Sequence, residues 1–278
     1  MLQASQPRLP DTFPSRGRLL TLRRFVQADF CHALRSRSLN SIAPANNDQG
    51  VTLRQAALIA GFAYLLMPVT YAEFSIMPKL VIRGNIEQTV QNMVAHPRLF
   101  AVAILCYFIT AIGDLVIAWA LYVLLAPVNR SLSLLTAWFR LVYTAMFFFT
   151  CLNLVTVYRL VTTPDYVTLF GSGQLHAQVQ LLLNSFRYDW SVSLVIFGIH
   201  LALLGYLIFR SSYIPKILGI LLTIDGLGWV INGWRPYLYP NARLGFFFVF
   251  SFVELLLPLW LVVRGWKIPE PRAVARQN

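Results

Sequence analysis

Residues 99–125 read LFAVAILCYFITAIGDLVIAWALYVLL, an apolar run of membrane-spanning length that contains a single charged residue, Asp114. About 20 residues in an α-helix, at about 1.5 Å rise per residue, cross a hydrocarbon core of about 30 Å. The run is continuously apolar, whereas a strand of a membrane β-barrel alternates in polarity over about ten residues. The stretch therefore predicts a transmembrane helix with a carboxyl group inside the membrane.

Five further apolar stretches of similar length predict an all-α, polytopic integral membrane protein. Hydrophobic residues make up 57% of the 278 residues and charged residues only 12%, which is not the balance of a soluble domain. The expected fold is a bundle of six transmembrane helices, with loops over 78–98 and 162–178. The six predicted spans are Gln55–Met77, Leu99–Leu125, Leu132–Leu160, Val179–Phe209, Ile214–Trp234 and Gly245–Val263.

The regions that flank the spans predict the domain organisation and the orientation. Residues 1–50 are rich in Arg, Ser and Pro and predict a basic, flexible cytoplasmic tail, followed by a membrane domain over 51–266 and a short basic tail over 267–278. Because basic residues favour the cytoplasmic side, this distribution predicts that both termini are cytoplasmic. It also explains the net charge of +12 without a nucleic-acid partner. We expect the protein to reside in the lipid bilayer of a plasma membrane, such as a bacterial inner membrane. The sequence does not determine its oligomeric state.

Four other predicted spans carry an ionisable residue at nearly the same depth as Asp114. Counted from the predicted cytoplasmic helix ends, all five lie roughly 13–18 Å deep, near the bilayer midplane. A charge that faces lipid there costs at least about 2.5–3.5 kcal/mol, so these side chains should face the bundle interior. They are the candidate ligand- or ion-binding residues Asp114, Arg140, His200, Asp225 and Glu254, and polar stripes at helical spacing add Tyr107, Tyr143, Asp189 and Asn232 as secondary candidates.

The charge balance of this layer indicates that it needs an additional positive charge. Three carboxylates and one guanidinium leave about −2 when His200 is neutral, which an interior of low dielectric constant does not tolerate. A protonated carboxyl, a protonated His200, bound Na⁺ or a divalent metal would each compensate. Arg140 is expected to pair with Asp114, its neighbour at matching depth, and that pair fits a structural role as well as a functional one. The sequence identifies no cofactor and no multi-histidine metal motif.

Three classes of function fit a polar layer inside a membrane protein. The first is binding or transport of an ion or small molecule, because carriers hold their ligands between helices near the midplane. The second is a structural, sensor or accessory protein in which the layer only specifies helix pairing. The third is an intramembrane metal-dependent enzyme, with catalytic residues that the sequence does not identify. The sequence has no P-loop, Rossmann fingerprint or H-E-x-x-H motif, which disfavours ATP-driven transport, nicotinamide chemistry and zincin proteolysis, and the lack of a paired-histidine motif and of a convincing nucleophile disfavours an enzyme.

Three stretches carry a resemblance to a known family. They are YAEFSIMPKLV over 71–81, GDLVIAWALYVLLAPVNRSLSLLTAWFRLVYTAMF over 113–147, and CLNLVTVYRLV over 151–161. In these stretches the chain resembles the bacterial membrane family DUF4386, a domain of unknown function. The likeness covers roughly Arg54 to Val263 and does not include the Arg-rich tail. The resemblance implies an integral membrane protein of six or seven helices, and it implies no activity.

Overall fold

The computed structural model describes residues 50–241 and 253–270, and these residues form helices without any strand. The predicted all-α class is therefore confirmed. In chain order the elements are α1 (Leu53–Leu65), α2 (Val69–Tyr71), a π-helical turn (Ala72–Ile76), α3 (Met77–Leu80), α4 (Ile86–Ala95), α5 (Pro97–Leu125), α6 (Arg130–Thr162), α7 (Pro164–Arg210), α8 (Lys216–Leu238), α9 (Val253–Arg264) and a 3₁₀ turn (Gly265–Lys267).

Within the described ranges, five helical segments are long and apolar enough to cross a membrane. They are Leu53–Leu80, Pro97–Leu125, Arg130–Thr162, Thr168–Arg210 and Lys216–Leu238, and they coincide with the first five predicted spans. The sixth predicted span begins outside the described residues, which resume at the first residue of α9. The count of six spans and the cytoplasmic placement of the termini stay predictions. The predicted N-terminal tail also lies outside the described residues, except for its last position.

Two segments predicted as loops are largely helical. The segment 78–98 contains α4, and the segment 162–178 forms the first part of α7, so both loop predictions were wrong over most of their length. Pro164 starts α7 in the position where proline costs no hydrogen bond. Gly171, with φ of 69° and ψ of 163°, then kinks the helix. Apolarity marks only membrane-length runs, so it does not report helix that extends beyond them.

Six helices pack in a closed ring that follows the chain order. Helices α1, α5, α6, α7, α8 and α9 each contact the next, and α9 returns to contact α1. The predicted polar stripe of α6 is buried along its length, at Ser133, Thr136, Ala137, Arg140, Tyr143 and Thr144. In lipid the polar face of a helix points inward, and the small side chains on it let neighbouring helices approach. The ring therefore encloses a polar interior.

Helices α7 and α8 make the closest contact in the ring, through facing glycines. A Cβ atom on Gly198 would lie 2.4 Å from the carbonyl oxygen of Gly226. About two helical turns further along α7, a Cβ atom on Gly205 would lie 2.5 Å from the carbonyl oxygen of Gly219. A Cβ atom on Gly219 would lie at the same distance from the carbonyl oxygen of Gly205. Any larger residue would push the backbones apart. These glycines fix the register of the two helices, and with it the relative depth of the side chains on their inner faces.

The segment after α9 is attached to the start of α1. The Glu270 carboxylate accepts hydrogen bonds from the backbone N–H groups of Leu53 at 3.1 Å and Arg54 at 3.0 Å. Arg54 Nε donates to the carbonyl oxygen of Ile268 at 2.9 Å. Partial burial of the Glu270 carboxyl opposes its ionisation, but these N–H donors outweigh burial and lower its pKa. A residue more than two hundred positions away thus caps α1, so the described C-terminal segment still packs on the membrane domain.

Candidate functional site

Six polar side chains, one from each helix of the ring, form the candidate site in its interior. Four of them form one connected group, which we call the Arg140 cluster: Tyr64 from α1, Asp114 from α5, Arg140 from α6 and His200 from α7. The other two, Asp225 from α8 and Glu254 from α9, adjoin each other and are called the carboxyl pair. The structure therefore brings all five primary candidates of the sequence into one interior.

The Arg140 cluster is organised around a guanidinium group that is 1% exposed. Its Nη2 donates to Asp114 Oδ1, which forms the predicted ion pair, and its Nη1 donates to the Tyr64 hydroxyl. The guanidinium carbon also lies 4.6 Å from the centre of the Tyr64 ring and 5.6 Å from that of Phe197. A carboxylate and two aromatic faces are favourable partners for a buried arginine. The charge of Arg140 is thus compensated within the cluster.

The hydrogen bonds of His200 define its protonation. Its Nδ1 lies 2.8 Å from the carbonyl oxygen of Thr136, which can only accept, so Nδ1 carries the proton. Its Nε2 lies 3.2 Å from Arg140 Nη1, which can only donate, so Nε2 accepts. The imidazole is therefore neutral, and the lone pair on its unprotonated nitrogen, Nε2, accepts a hydrogen bond from Arg140. His200 holds Arg140 in place and has no ring nitrogen left for a metal ion.

The carboxyl pair has far fewer partners. Glu254 accepts one hydrogen bond from the indole Nε1 of Trp229. Asp225 is 2% exposed, and its Oδ2 is buried without a hydrogen-bond partner among the residues that the structure describes. Arg140 is near enough to Glu254 to interact with it electrostatically, but it makes its ion pair with Asp114. Among the described residues, neither carboxyl group of this pair has an ion-pair partner.

The secondary candidates do not join this interior as one group. Tyr143 is buried beside the Arg140 cluster, with its ring 4.7 Å from that of Phe197. Tyr107 forms a separate contact, in which its hydroxyl donates to Glu73. Asp189 is exposed and accepts a 3.4 Å hydrogen bond from Asn153, so its prediction as an inward-facing candidate was wrong. Asp189 lies about three helical turns before His200 on α7, at a level of the molecule where its side chain is exposed.

Asn232, the remaining secondary candidate, lies at a different level of the molecule. It lines a half-open cavity of about 320 Å³ between the last turns of α8 and the middle of α7, together with Arg187 and Arg235. This cavity is separate from the central cluster, so the sequence stripe that joined Asn232 to Asp225 spans two sites.

Three contacting residues were not among the candidates. Tyr64 completes the Arg140 cluster, Trp229 donates to Glu254, and Glu73 accepts from Tyr107. Tyr64 lies about nine residues into the first predicted span, the same depth as the charged layer. A search for any polar side chain at that depth, rather than for ionisable ones, would have found it. Glu73 lies in the π-helical turn. The apolarity of a sequence does not show where the backbone of a helix becomes irregular, so it did not point to this residue.

Residues 59–265 match the family described as domain of unknown function (DUF4386). The chain belongs to the DUF4386 family. An archaeal protein from Archaeoglobus fulgidus, described as an uncharacterized protein, is 33% identical to this DUF4386 protein over 163 residues. The alignment covers 59% of this chain and 83% of the relative. No solved structure matches the chain.

The family match confirms the resemblance seen in the sequence, and it places the site inside the family domain. All six residues of the Arg140 cluster and the carboxyl pair lie within the matched range 59–265. The family description names no activity, so the chemistry of this DUF4386 protein is argued from its own side chains. Among the described residues, no group of three or more His, Cys, Asp or Glu side chains is placed to hold a metal ion.

Proposed function

We propose that this protein binds a monovalent cation or a proton at the carboxyl pair inside the membrane, as the ion site of a small-molecule or ion carrier. The observation that carries the proposal is the contact between Asp225 and Glu254: Asp225 Oδ2 is buried without an N–H or hydroxyl donor among the described residues, so a hydrogen bond between the two carboxyl groups requires a proton on one of them. Two neighbouring carboxyl groups in a medium of low dielectric constant are not both ionised unless a positive charge lies between or beside them. A proton and a small cation such as Na⁺ both supply that charge.

The Arg140 cluster supports this assignment, because it removes the other source of positive charge. Arg140 and Asp114 form a neutral pair, and His200 is neutral by its hydrogen bonds. What remains is the charge of Asp225 and Glu254. One added positive charge therefore has its most favourable position at the carboxyl pair. Secondary carriers also hold their coupling ions between helices, near the midplane of the membrane.

The two alternative functions have less support from the geometry. A metal-dependent enzyme would use carboxylates and an imidazole as ligands, but the lone pair of His200 accepts from Arg140. A purely structural role fits the Arg140 cluster, because Arg140 and Asp114 neutralise each other even though Arg140 Nε has no hydrogen-bond partner among the described residues. It fits the carboxyl pair less well, because two adjoining carboxyl groups without a counter-charge among the described residues repel each other when both are ionised. We further propose that the protein resides in the cell membrane, where an ion gradient is available.

The test is thermal unfolding of the detergent-purified protein in Na⁺, K⁺ and choline salts at matched ionic strength, repeated from mildly acidic to mildly alkaline pH. A cation that binds only the folded state at one hundred times its Kd stabilises it by about 2.7 kcal/mol. We expect Na⁺ or protons to raise the Tm of the wild type, and we expect that response to disappear in Asp225→Asn and Glu254→Gln. The matched control is Asp189→Asn, which removes an exposed carboxylate of α7 and should keep the response.

The arms of the test separate the two ligands. A Tm that rises with Na⁺ but not with choline identifies a cation site, whereas a Tm that depends on pH alone identifies a proton site. In proteoliposomes that enclose a pH-sensitive dye, a proton or ion flux that Asp225→Asn removes would extend the site to transport. If the wild type and Asp225→Asn respond identically to every ion and pH, the proposal is wrong.

A further inference from the structure

The half-open cavity at the end of α8 has a chemistry unlike that of the central site. It has a volume of about 320 Å³ and is lined by Arg187 and Tyr188 from α7 and by Asn232 and Arg235 from α8. The described residues that line it include no carboxylate. Its polar groups are mainly donors: two guanidiniums and the side-chain amides of Asn184 and Asn232. Such a lining is complementary to an anion.

The two arginines are available for a ligand. Among the residues that the structure describes, neither guanidinium makes a hydrogen bond or a salt bridge; the two salt bridges there are Arg54–Glu270 and Arg140–Asp114. Arg187 lies within electrostatic range of Glu73 without contacting it closely. Elsewhere in the ring, Arg140 is held by three side chains. Two arginines that line one cavity without partners among the described residues offer two forks of N–H donors, which can bind a phosphate through several charge-assisted hydrogen bonds.

The depth of the cavity indicates the source of the anion. Arg235 lies in the last turn of α8, a segment long enough to span the membrane, so the cavity is at the level where that span ends. Trp234 and Tyr237 in the same turn are 41% and 50% exposed, and Tyr188 of α7 is 48% exposed. Exposed Trp and Tyr at the end of a span are typical of the membrane interface. A cavity at this level adjoins the phosphate groups of lipids.

The charge of the helix end does not cancel this attraction. The C-terminus of α8 carries a partial negative charge of about −0.5 from its carbonyl groups, which disfavours an anion. Two guanidiniums contribute +2 at the same place, so the balance stays positive. A water-accessible opening lowers the cost of bringing a doubly charged phosphate to the cavity.

We propose that this cavity binds a phosphate group at the membrane surface, with Arg187 and Arg235 as its two charged ligands. The ligand is a phosphate monoester, carried either by an anionic phospholipid such as phosphatidic acid or by a free phosphate compound. The site is independent of the carboxyl pair, and it stands whether or not the central site binds an ion.

The test measures binding to the purified full-length protein by thermal unfolding and native mass spectrometry. The probes are short-chain phosphatidic acid, inorganic phosphate, and chloride at matched ionic strength. We expect phosphatidic acid to raise the Tm and to remain bound in the mass spectrum, and we expect Arg187→Gln or Arg235→Gln to weaken this binding about tenfold or more. The matched control is Arg159→Gln, which removes an exposed arginine of the neighbouring α6 and should bind as the wild type does.

Further outcomes distinguish the source and the mode of binding. Equal binding of inorganic phosphate and phosphatidic acid identifies a free phosphate compound as the ligand, and stronger lipid binding identifies the headgroup. Arg235→Lys, which keeps the charge but loses the fork, should recover only part of the affinity. If the double variant Arg187→Gln with Arg235→Gln responds to all probes as the wild type does, the proposal is wrong. These two arginines have no partners among the described residues, so we expect the variants to fold.

Discussion

The Arg140 cluster and the carboxyl pair occupy the same interior, and they differ in how their charges are satisfied. Arg140 has the counter-charge of Asp114 and also contacts a hydroxyl and an imidazole, although its Nε has no hydrogen-bond partner among the described residues; Asp225 has neither a counter-charge nor a donor for its buried Oδ2 among the N–H and hydroxyl groups described. A satisfied buried charge is expensive to disrupt and contributes to helix pairing. An unsatisfied one is costly to keep, so it persists where a ligand completes it. The difference separates the residues that build the ring from those available for binding.

The largest effect should come from breaking the ion pair on one side. Asp114→Asn leaves the buried guanidinium of Arg140 without its counter-charge, and losing one partner of a buried pair costs about 3–5 kcal/mol. The double variant Asp114→Asn with Arg140→Gln removes both charges and should recover much of that loss. The measurement is reversible unfolding in mixed micelles by denaturing detergent. Additive losses in the double variant would contradict the role of the cluster as a self-contained pair.

The register between α7 and α8 links the two groups, and its disruption should rank second. In Gly226→Ala the new Cβ would meet the carbonyl oxygen of Gly198 at 2.5 Å, so the helices must separate, at about 1–3 kcal/mol. Gly173→Ala is the matched control on α7, because nothing lies within 4 Å of its Cβ position. We expect that control to be neutral or slightly stabilising. Equal Tm values for the two variants would show that the glycine contact does not determine the packing.

The sequence predicted the spans and the buried layer because both depend on the cost of polar groups in lipid, which acts on each helix separately. Depth along a helix follows from residue counting, so Asp114, Arg140 and His200 were placed correctly before any packing was known. Which of them touch depends on the order of helices around the ring and on their rotation. A single sequence does not report either quantity. Asp189 was misassigned for a different reason: it shares a helix face with His200 but lies about three turns away, where the side chain is exposed.

Residues that act through packing or neutral hydrogen bonds were also missed. Tyr64 carries no charge at neutral pH, so a search for ionisable groups passed over it, although it lies at the predicted depth. The facing glycines recur every seven residues, at Gly198 and Gly205 on α7 and at Gly219, Gly226 and Gly233 on α8. That spacing is visible in the sequence and is typical of closely packed membrane helices. The sequence does not show which helix packs against these glycines, because small residues allow close packing against many different helices.

The third prediction concerns Glu270, a charged residue outside the ring, where we expect a smaller change in stability. Glu270 caps α1, and Glu270→Ala should cost about 1 kcal/mol, as for the loss of other helix N-caps. Its pKa is lowered below the ordinary value of 4.5, so its contribution is fully present above that pH. The contribution is lost as the pH falls through the folded-state pKa. Glu270→Gln keeps an acceptor, so the difference in stability between wild type and Glu270→Gln should shrink on acidification; a constant difference would contradict the assignment.

The smallest change in stability should come from Asp225→Asn, although Asp225 is as buried as Asp114. The substitution removes a carboxyl group that has no counter-charge among the described residues and supplies an amide that can donate to Glu254. Loss and gain nearly cancel, so we expect the free energy of unfolding without added ions to change by less than about 1 kcal/mol. The same unfolding assay as for Asp114→Asn measures this change.

A loss as large as that of Asp114→Asn would mean that Asp225 has a structural partner, and the Arg140 cluster and the carboxyl pair would then be equivalent parts of one framework. A small loss would mean that burial alone does not make a charge structural, because the partners of a buried group decide whether the fold depends on it.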